Sequence, residues 1–281
     1  MLQNSSHKPE GAQPAHLVSL EPKLLHPIQP KAPRGPWYTS RRLWMTIGLP
    51  IWVFLGFMLS QALLIAIIEI TKALGISYVG LGEAAFSTIV GAAIYALTLL
   101  IVVGVPWLVK KSRTTKTEIG LQRAPSWFDI GIAPVAFITY LIISAAVMAV
   151  AMSTLTFIDF QQAQDTGFTQ ISAQYETILA FLTLVVIAPI AEEIVFRGYL
   201  LGKLRKYAPL WISILITSLL FALVHFAWNV GIDVFVLSIV LCLLRVWSKS
   251  LWAPILVHMI KNGVAFYFLF INPSFLSTLG G

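Results

Sequence analysis

Long apolar runs alternate with short polar segments along most of this chain. A helix needs about 20 apolar residues to cross a hydrocarbon core, and several runs reach that length. The pattern therefore predicts an all-α, polytopic transmembrane bundle with about seven spans, and up to eight. The predicted spans are Leu43–Ile70, Ala84–Val109, Ile130–Phe157, Thr177–Leu201, Leu210–Trp228, Val234–Trp247 and Leu251–Ile271.

The first 40 residues differ from the rest because they are rich in proline and contain no long apolar run. This composition is typical of disorder, and no uninterrupted apolar segment follows the start as a signal peptide would require. We therefore expect a disordered cytoplasmic tail over 1–40, a transmembrane helical domain over 41–272 and a short C-terminal tail over 273–281.

Composition supports the membrane class. Hydrophobic residues make up 58% of the chain and charged residues 11%, whereas soluble proteins average about 25% charged residues. The net charge of +7 comes from basic residues in the tail and between apolar runs, so it indicates topology rather than nucleic-acid binding. The lipid bilayer is the expected environment. The single cysteine, Cys242, excludes an intrachain disulfide.

The distribution of basic residues predicts the orientation. Placing the N-terminal tail in the cytoplasm puts most of the 19 Lys and Arg on that side and leaves Lys72 in the opposite loops. This arrangement satisfies the positive-inside rule. The expected location is the plasma membrane in a prokaryote or the endoplasmic reticulum in a eukaryote.

Four ionisable groups of special interest lie inside the predicted spans. Ten of the 12 acids lie in the tail, in loops or near span ends, which leaves Glu192 and Glu193, and of the five histidines only His225 and His258 lie within spans. An ionisable side chain at bilayer depth costs at least about 2.5 kcal/mol on insertion scales, so it needs a partner or a use. Two carboxylates and two imidazoles are suited to acid–base or metal chemistry.

Helical spacing sorts these groups further. Glu193 and Arg197 are four residues apart, so they can face and neutralise each other. Glu192 points about 100° away and is predicted to be a free carboxylate. His258 and Asn262 are also four residues apart, so both can face one cavity, where an asparagine can donate to a developing oxyanion.

Each residue alone also has a structural explanation. Glu193 and Arg197 can form a buried ion pair that holds helices together. Each histidine can be a buried polar group with a hydrogen-bond partner, and Asn262 can form a hydrogen bond between helices. Lys261 either faces a water-filled cavity or extends its charge to the interface. The nearby aromatic residues are predicted to pack or to face lipid: Phe196, Phe221 and Trp228.

The depth of His225 conflicts with a single site. At ~1.5 Å per residue, Glu192 and His258 lie at similar depths below the cytoplasmic ends of their spans, but His225 lies roughly 9–12 Å deeper. Either the fifth helix is tilted or starts below the surface, or His225 is not part of the site. We expect the tilt.

Taken in order, the motifs Glu192-Glu193-x-x-x-Arg197, Phe221-x-x-x-His225 and His258-x-x-x-Asn262 resemble the signature of the CPBP family. This family comprises CAAX proteases and bacteriocin-processing proteins and is also called Abi. The resemblance covers roughly residues 177–270, and the motifs stand in the family's order.

The resemblance implies an intramembrane endopeptidase of helical fold. Glu192 would activate the attacking water together with His225, while His258 and Asn262 would bind the tetrahedral oxyanion. The substrate would be a membrane-associated peptide; a prenylated CAAX-type peptide, a leader peptide and another membrane protein stay open.

The resemblance also implies that Glu193 and Arg197 hold the motif helix in place. It leaves open whether the reaction uses glutamate alone or a metal. In the second case Glu192, His225 and His258 would bind Zn²⁺ with an open fourth position.

Two other functions compete with the protease. One is a catalytically silent immunity or scaffold factor of the same fold. The other is a proton-coupled transporter that uses Glu192 or Glu193 as the proton carrier. The inverted repeats typical of many transporters are not detected in the sequence.

Overall fold

The computed structural model describes residues 36, 38, 40–76, 78, 82–110, 113–160, 162, 168 and 173–274. Most of the two predicted tails lies outside these residues. The described residues contain helices and no strand. The helices are α1 (Ser40–Ala73), α2 (Glu83–Val109), α3 (Lys116–Ile119), α4 (Trp127–Thr154), α5 (Gln174–Leu204), α6 (Leu210–Leu223), α7 (Trp228–Ser248) and α8 (Trp252–Ile271).

Six of these helices are long and apolar enough to cross a membrane, namely α1, α2, α4, α5, α7 and α8. Helix α6 is equally apolar but has only 14 residues. The chain is therefore an all-α, multi-pass integral membrane protein, as predicted. The prediction of about seven full spans is corrected to six candidate spans and one shorter apolar helix within the described residues.

The boundary between the fifth and sixth predicted spans was wrong. The chain leaves α6 at Leu223 and begins α7 at Trp228, so the sixth helix is longer than expected and the fifth is shorter. The turn contains Phe226, whose φ of 52° lies in the left-handed region. Because the turn residues other than His225 are apolar, hydropathy could not locate the turn.

Helices α5 and α7 form the inside of the bundle. In the most apolar window of each, 44% of the residues are buried, compared with 17% for α1 and 11% for α2. On one side of α5, Phe196 and Leu200 pack in a buried cluster with Val53 of α1 and Phe221 of α6. The predicted motif helix is therefore one of the two most buried of the six candidate spans, so neighbouring helices can position its side chains.

Helix α5 is not a regular α-helix. Two π-helical stretches, Leu182–Ile187 and Ile194–Leu200, flank the α-helical turn Ala188–Glu193, which carries both glutamates. Such π stretches occur frequently at functional sites because they free backbone carbonyls and re-aim side chains.

The short helix α3 caps one end of α5. Thr115 and Glu118 form a capping box at its start, and Lys206 Nζ donates to the Glu118 carboxylate at 2.5 Å. These donations from Lys206 and the Thr115 N–H lower the pKa of Glu118. Gly120 ends the helix with a φ of 96°, and a Cβ there would lie 2.6 Å from the Arg245 guanidinium.

Candidate active site

A cavity of about 300 Å³ lies between motif residues of α5, of the turn after α6 and of α8, and side chains of α1, α2 and α7. It brings Glu192, His225, His258 and Asn262 together, as the sequence predicted. Tyr95 and Lys261 complete its polar lining, and the remaining walls are mostly apolar. A small polar cluster in an apolar cavity is the usual arrangement of a site that binds and orients a substrate.

Glu192 is held from a helix outside the motif region. Tyr95 of α2 donates from its hydroxyl to Glu192 Oε1 at 2.6 Å. The other carboxylate oxygen, Oε2, lies 3.7 Å from His258 Nε2, and 17% of the side chain is exposed. The predicted free carboxylate is therefore a hydrogen-bonded one with a second oxygen available to the cavity. Spacing within α5 could not reveal this partner, because Tyr95 is distant in the sequence.

Glu193 and Arg197 form the predicted pair. Arg197 Nη1 donates to Glu193 Oε1 at 2.7 Å, and both side chains are fully buried. The guanidinium carbon of Arg197 also lies 4.2 Å from the centroid of the Phe221 ring, which provides a cation–π contact. The pair is thus neutral as a unit and anchors α5 to α6.

Glu193 has a second role that the sequence did not predict. Its Oε1 atom also lies 2.9 Å from His258 Nδ1. Because a carboxylate only accepts hydrogen bonds, Nδ1 is the nitrogen that donates. This leaves His258 Nε2 as the nitrogen facing Glu192. Glu193 therefore orients the imidazole of α8 as well as neutralising Arg197.

Asn262 is oriented by a carbonyl of α5 that has no backbone N–H to accept from. In the first π-helical stretch the Ala188 N–H donates to the Thr183 carbonyl, five residues back. The next carbonyl, that of Leu184, would need the N–H of Pro189, which proline lacks. Asn262 Nδ2 fills this role at 2.9 Å. Its other N–H is left for the cavity.

His225 lies in the turn after α6 and lines the same cavity. Its Nδ1 donates to the Phe221 carbonyl at 2.7 Å, so Nε2 carries the lone pair of the neutral ring. The alternative that His225 lies outside the site is wrong, because His225 lines the same cavity as Glu192 and His258. Helix α6 ends at Leu223, and the histidine follows in the turn. The predicted tilt of the helix stays a prediction.

Phe221 connects the three motifs. Its ring is fully buried, as expected for a packing residue. The ring centroid lies 5.0 Å from that of His225 and 5.9 Å from that of His258, both in edge-on contact. Together with the Arg197 contact, this ring touches one residue of each motif helix. Trp228, in contrast, is largely exposed.

The zinc alternative requires Glu192, His225 and His258 to converge on one point. Within the described residues no group of three or more His, Cys, Asp or Glu side chains is placed to hold a metal ion. The contacts of His225 Nδ1 and Glu192 Oε1 with protein groups leave His225 Nε2 and Glu192 Oε2 open. Two histidines and a glutamate are a donor set that zinc accepts, but they are not gathered into a metal site here, so zinc stays a prediction and no step below uses it.

A second polar network borders the cavity. Asp233 Oδ1 accepts from the hydroxyls of Tyr140 at 2.6 Å and Ser144 at 2.5 Å. Its Oδ2 lies 4.0 Å from Lys261 Nζ. Asp233 falls between the predicted spans Leu210–Trp228 and Val234–Trp247, but it lies within α7 because that helix begins at Trp228. Nothing in the spacing of one helix could have signalled this network.

Comparison with known proteins gives matches to part of the chain. Residues 174–264 match the family described as type II CAAX prenyl endopeptidase Rce1-like. The membrane-embedded CAAX protease MroQ of Staphylococcus aureus (strain USA300) is 33% identical over 97 residues, which are 32% of this chain and 39% of that protein.

Two further relatives have no activity in their names. An uncharacterized 24.3 kDa protein of Escherichia coli is 35% identical over 89 residues, covering 30% of this chain and 41% of the relative. The UPF0177 protein YxdF of Lactococcus lactis subsp. lactis (strain IL1403) is 38% identical over 66 residues, which cover 23% of this chain and 36% of the relative. The chain thus spans less than half the length of these curated relatives.

No solved structure gives a significant match to the chain. The matched range contains all three motifs and their seven named residues. The segment 174–264 is therefore similar to the Rce1-like type II CAAX prenyl endopeptidases, which confirms the predicted resemblance.

Proposed function

We propose that this protein is an intramembrane endopeptidase that hydrolyses a peptide bond of a membrane-associated substrate with water activated by Glu192. The observation that carries the proposal is the placement of Glu192, His225, His258 and Asn262 on one cavity. The name of the relative MroQ, a membrane-embedded CAAX protease, adds support. A silent factor of the same fold would not need these four side chains to face a common space.

In the proposed reaction Glu192 accepts a proton from a water molecule. The water oxygen forms a bond to the carbonyl carbon of the substrate, and the carbonyl oxygen becomes an oxyanion. Glu192 then returns the proton to the leaving nitrogen as the carbon–nitrogen bond breaks. The lone pair of His225 Nε2 accepts a hydrogen bond from the same water and helps to orient it.

The oxyanion would be bound from α8. Asn262 offers the N–H that its contact with Leu184 leaves unused, and His258 donates from Nε2 when both of its ring nitrogens carry protons. Glu193 and Leu184 hold these two donors in fixed orientations. Donors that are fixed before the reaction stabilise developing charge without reorganisation.

The substrate and orientation are part of the same proposal. The family match favours a peptide of CAAX type, with or without a prenyl group, and a leader peptide is the second class to test. The distribution of basic residues supports an N-terminus in the cytoplasm. The membrane would be the plasma membrane in a prokaryote and the endoplasmic reticulum in a eukaryote.

The test is peptide cleavage by the detergent-purified protein, with a farnesylated CAAX peptide and a panel of leader peptides. Glu192→Gln keeps the size of the side chain and should lower kcat by at least about 100-fold, the usual range for loss of a general base. Glu69→Gln is the matched control, because Glu69 is an exposed glutamate of α1 paired with Lys72.

Unchanged cleavage in Glu192→Gln would overturn the assignment of the base. A chelator arm, with loss of activity that returns on adding Zn²⁺, would instead support the metal alternative. If no peptide of the panel is cleaved, the silent factor becomes the better explanation for these substrates.

A further inference from the structure

Lys261 is a charge in the cavity that the proposed reaction does not use. It is the lone lysine or arginine among the described residues that line this space, and 20% of its side chain is exposed. A lysine in a membrane-spanning helix costs at least about 2.5 kcal/mol on insertion scales, so such residues usually have a functional partner.

The contact between Lys261 and Asp233 is loose. The ammonium nitrogen lies 4.0 Å from Asp233 Oδ2, which is too long for a hydrogen bond. The carboxylate is held in place from the other side, because Tyr140 and Ser144 of α4 both donate to its Oδ1 atom. The lysine therefore has a fixed counter-charge nearby but keeps its ammonium protons for another acceptor.

The position of Lys261 relates it directly to the proposed oxyanion donors. It is three residues after His258 and next to Asn262 on α8, and all three side chains line the cavity. Three residues correspond to ~4.5 Å along the helix axis. An extended peptide advances ~3.3 Å per residue. The flexible lysine side chain can therefore meet a group one to three residues from the scissile bond.

Arg197 cannot serve this purpose, although it is also close to the site. Its side chain is fully buried and bound to Glu193. A ligand anion would thus find Lys261 as the accessible cation of the cavity. Because the proposed ligand is a peptide, the anion that it can present there is a carboxylate.

We propose that Lys261 forms a carboxylate-binding subsite in the active-site cavity, and that the substrate carboxylate replaces its loose contact with Asp233. This inference rests on the proposed function, because it assumes a peptide ligand. The carboxylate is either the C-terminal carboxylate of the peptide or an acidic side chain near the scissile bond. In both cases Lys261 is a specificity-determining residue.

The experiment compares four peptides that share one sequence around the scissile bond. One pair differs only in a C-terminal acid or amide, and the other pair, both amidated, carries Asp or Asn at the second position after that bond. Cleavage is measured with wild type, Lys261→Met and Lys261→Arg. Lys72→Met, at an exposed lysine paired with Glu69, is the matched control.

We expect wild type to prefer a carboxylate-bearing peptide over its neutral partner by about tenfold in kcat/KM, the size of one charge-assisted hydrogen bond. This preference should appear in KM rather than in kcat. It should fall to within about twofold in Lys261→Met, and it should persist in Lys261→Arg and in Lys72→Met. Preference for the acid over the amide identifies the C-terminal carboxylate, and preference for Asp over Asn identifies a side chain.

Asp233→Asn is a second variant, and the change in KM expected from it would not arise if Lys261 had only a structural role. Removing the competing carboxylate should lower KM for the carboxylate peptide and leave KM for its neutral partner unchanged. A wild-type enzyme without any carboxylate preference, or a preference that survives in Lys261→Met, would overturn the subsite. Melting temperatures of each variant show whether the fold is retained.

The failures of the two proposals are distinguishable. If wild type cleaves all four peptides at equal rates and Glu192→Gln does not, the protease stands and the subsite is wrong. If wild type cleaves none of them, the dissociation constants of fluorescent versions of the four peptides decide the subsite. If the carboxylate peptides bind more tightly than their neutral partners and Lys261→Met removes this difference, the subsite is supported. Equal binding of the peptides, or no binding, would overturn the subsite.

Discussion

The hydrogen bond from Tyr95 to Glu192 is the contact whose removal tests the site most sharply. Tyr95 lies on α2, outside the segment that matches the family, and its hydroxyl is 2.6 Å from Glu192 Oε1. Tyr95→Phe removes that oxygen and leaves the ring, so the packing of α2 against α5 is preserved. If Glu192 is the base, the carboxylate loses the group that fixes its orientation.

The size of the effect follows from the type of bond. A hydrogen bond to a charged acceptor contributes about 1.5–3 kcal/mol, and the short distance and largely apolar surroundings place this bond within that range. At about 1.36 kcal/mol per factor of ten, this corresponds to roughly a 10- to 150-fold loss in kcat. Because Tyr95 contacts the base rather than the substrate in this proposal, KM should change little.

The assay is steady-state cleavage of the best peptide by Tyr95→Phe and by the control Tyr267→Phe, whose ring is partly exposed and does not line the cavity. The double variant Tyr95→Phe with Glu192→Gln should be no slower than Glu192→Gln alone, because contacting residues are not additive. A kcat within twofold of wild type in Tyr95→Phe, with the fold intact, would refute the positioning role.

Three further predictions concern stability. Arg197→Met should lower the melting temperature strongly and abolish activity, because breaking a buried ion pair costs about 3–5 kcal/mol and leaves Glu193 uncompensated; an unchanged melting temperature would contradict this. Gly120→Ala should lower the melting temperature more than Gly48→Ala, because Gly120 has a positive φ and a crowded Cβ position, whereas Gly48 has open space. The pKa of Glu118 is lowered in the folded protein from its ordinary value of 4.5, so its contribution to stability is present above that value and is lost as the pH falls through the lower pKa of the folded state. Melting temperatures at pH 7 and pH 4 should therefore differ less in Glu118→Gln than in wild type, and an equal difference would contradict the assignment.

The helical class and the pair Glu193–Arg197 could be predicted because both depend on local properties of the chain. Apolar length predicts helices in a membrane, where every backbone polar group must be satisfied within the segment. Spacing of four residues brings two side chains to one face of a helix, and the observed distance of 2.7 Å agrees. Motif order likewise placed Glu192, His225 and His258 in one site, although depth counting argued against His225.

The errors arose where apolar composition carries no positional signal. The turn between α6 and α7 contains three apolar residues and no proline or glycine, so its position and the helical placement of Asp233 were not predicted. The orientation of Asn262 was not predicted either, although the sequence contains part of its cause. Pro189 leaves the Leu184 carbonyl without a backbone donor, but which side chain would reach that carbonyl depends on how α8 packs against α5.

The sequence alone therefore determined the membrane class, the helical elements and the identity of the polar groups, because hydropathy and residue spacing act over one helix turn or one span. Tertiary structure decided which groups meet. The Tyr95 hydroxyl on Glu192, the imidazole of His258 on Glu193 and the ammonium of Lys261 near Asp233 each join different helices. Contacts of this kind depend on the packing of several spans at once, and no pattern within a single span encodes them.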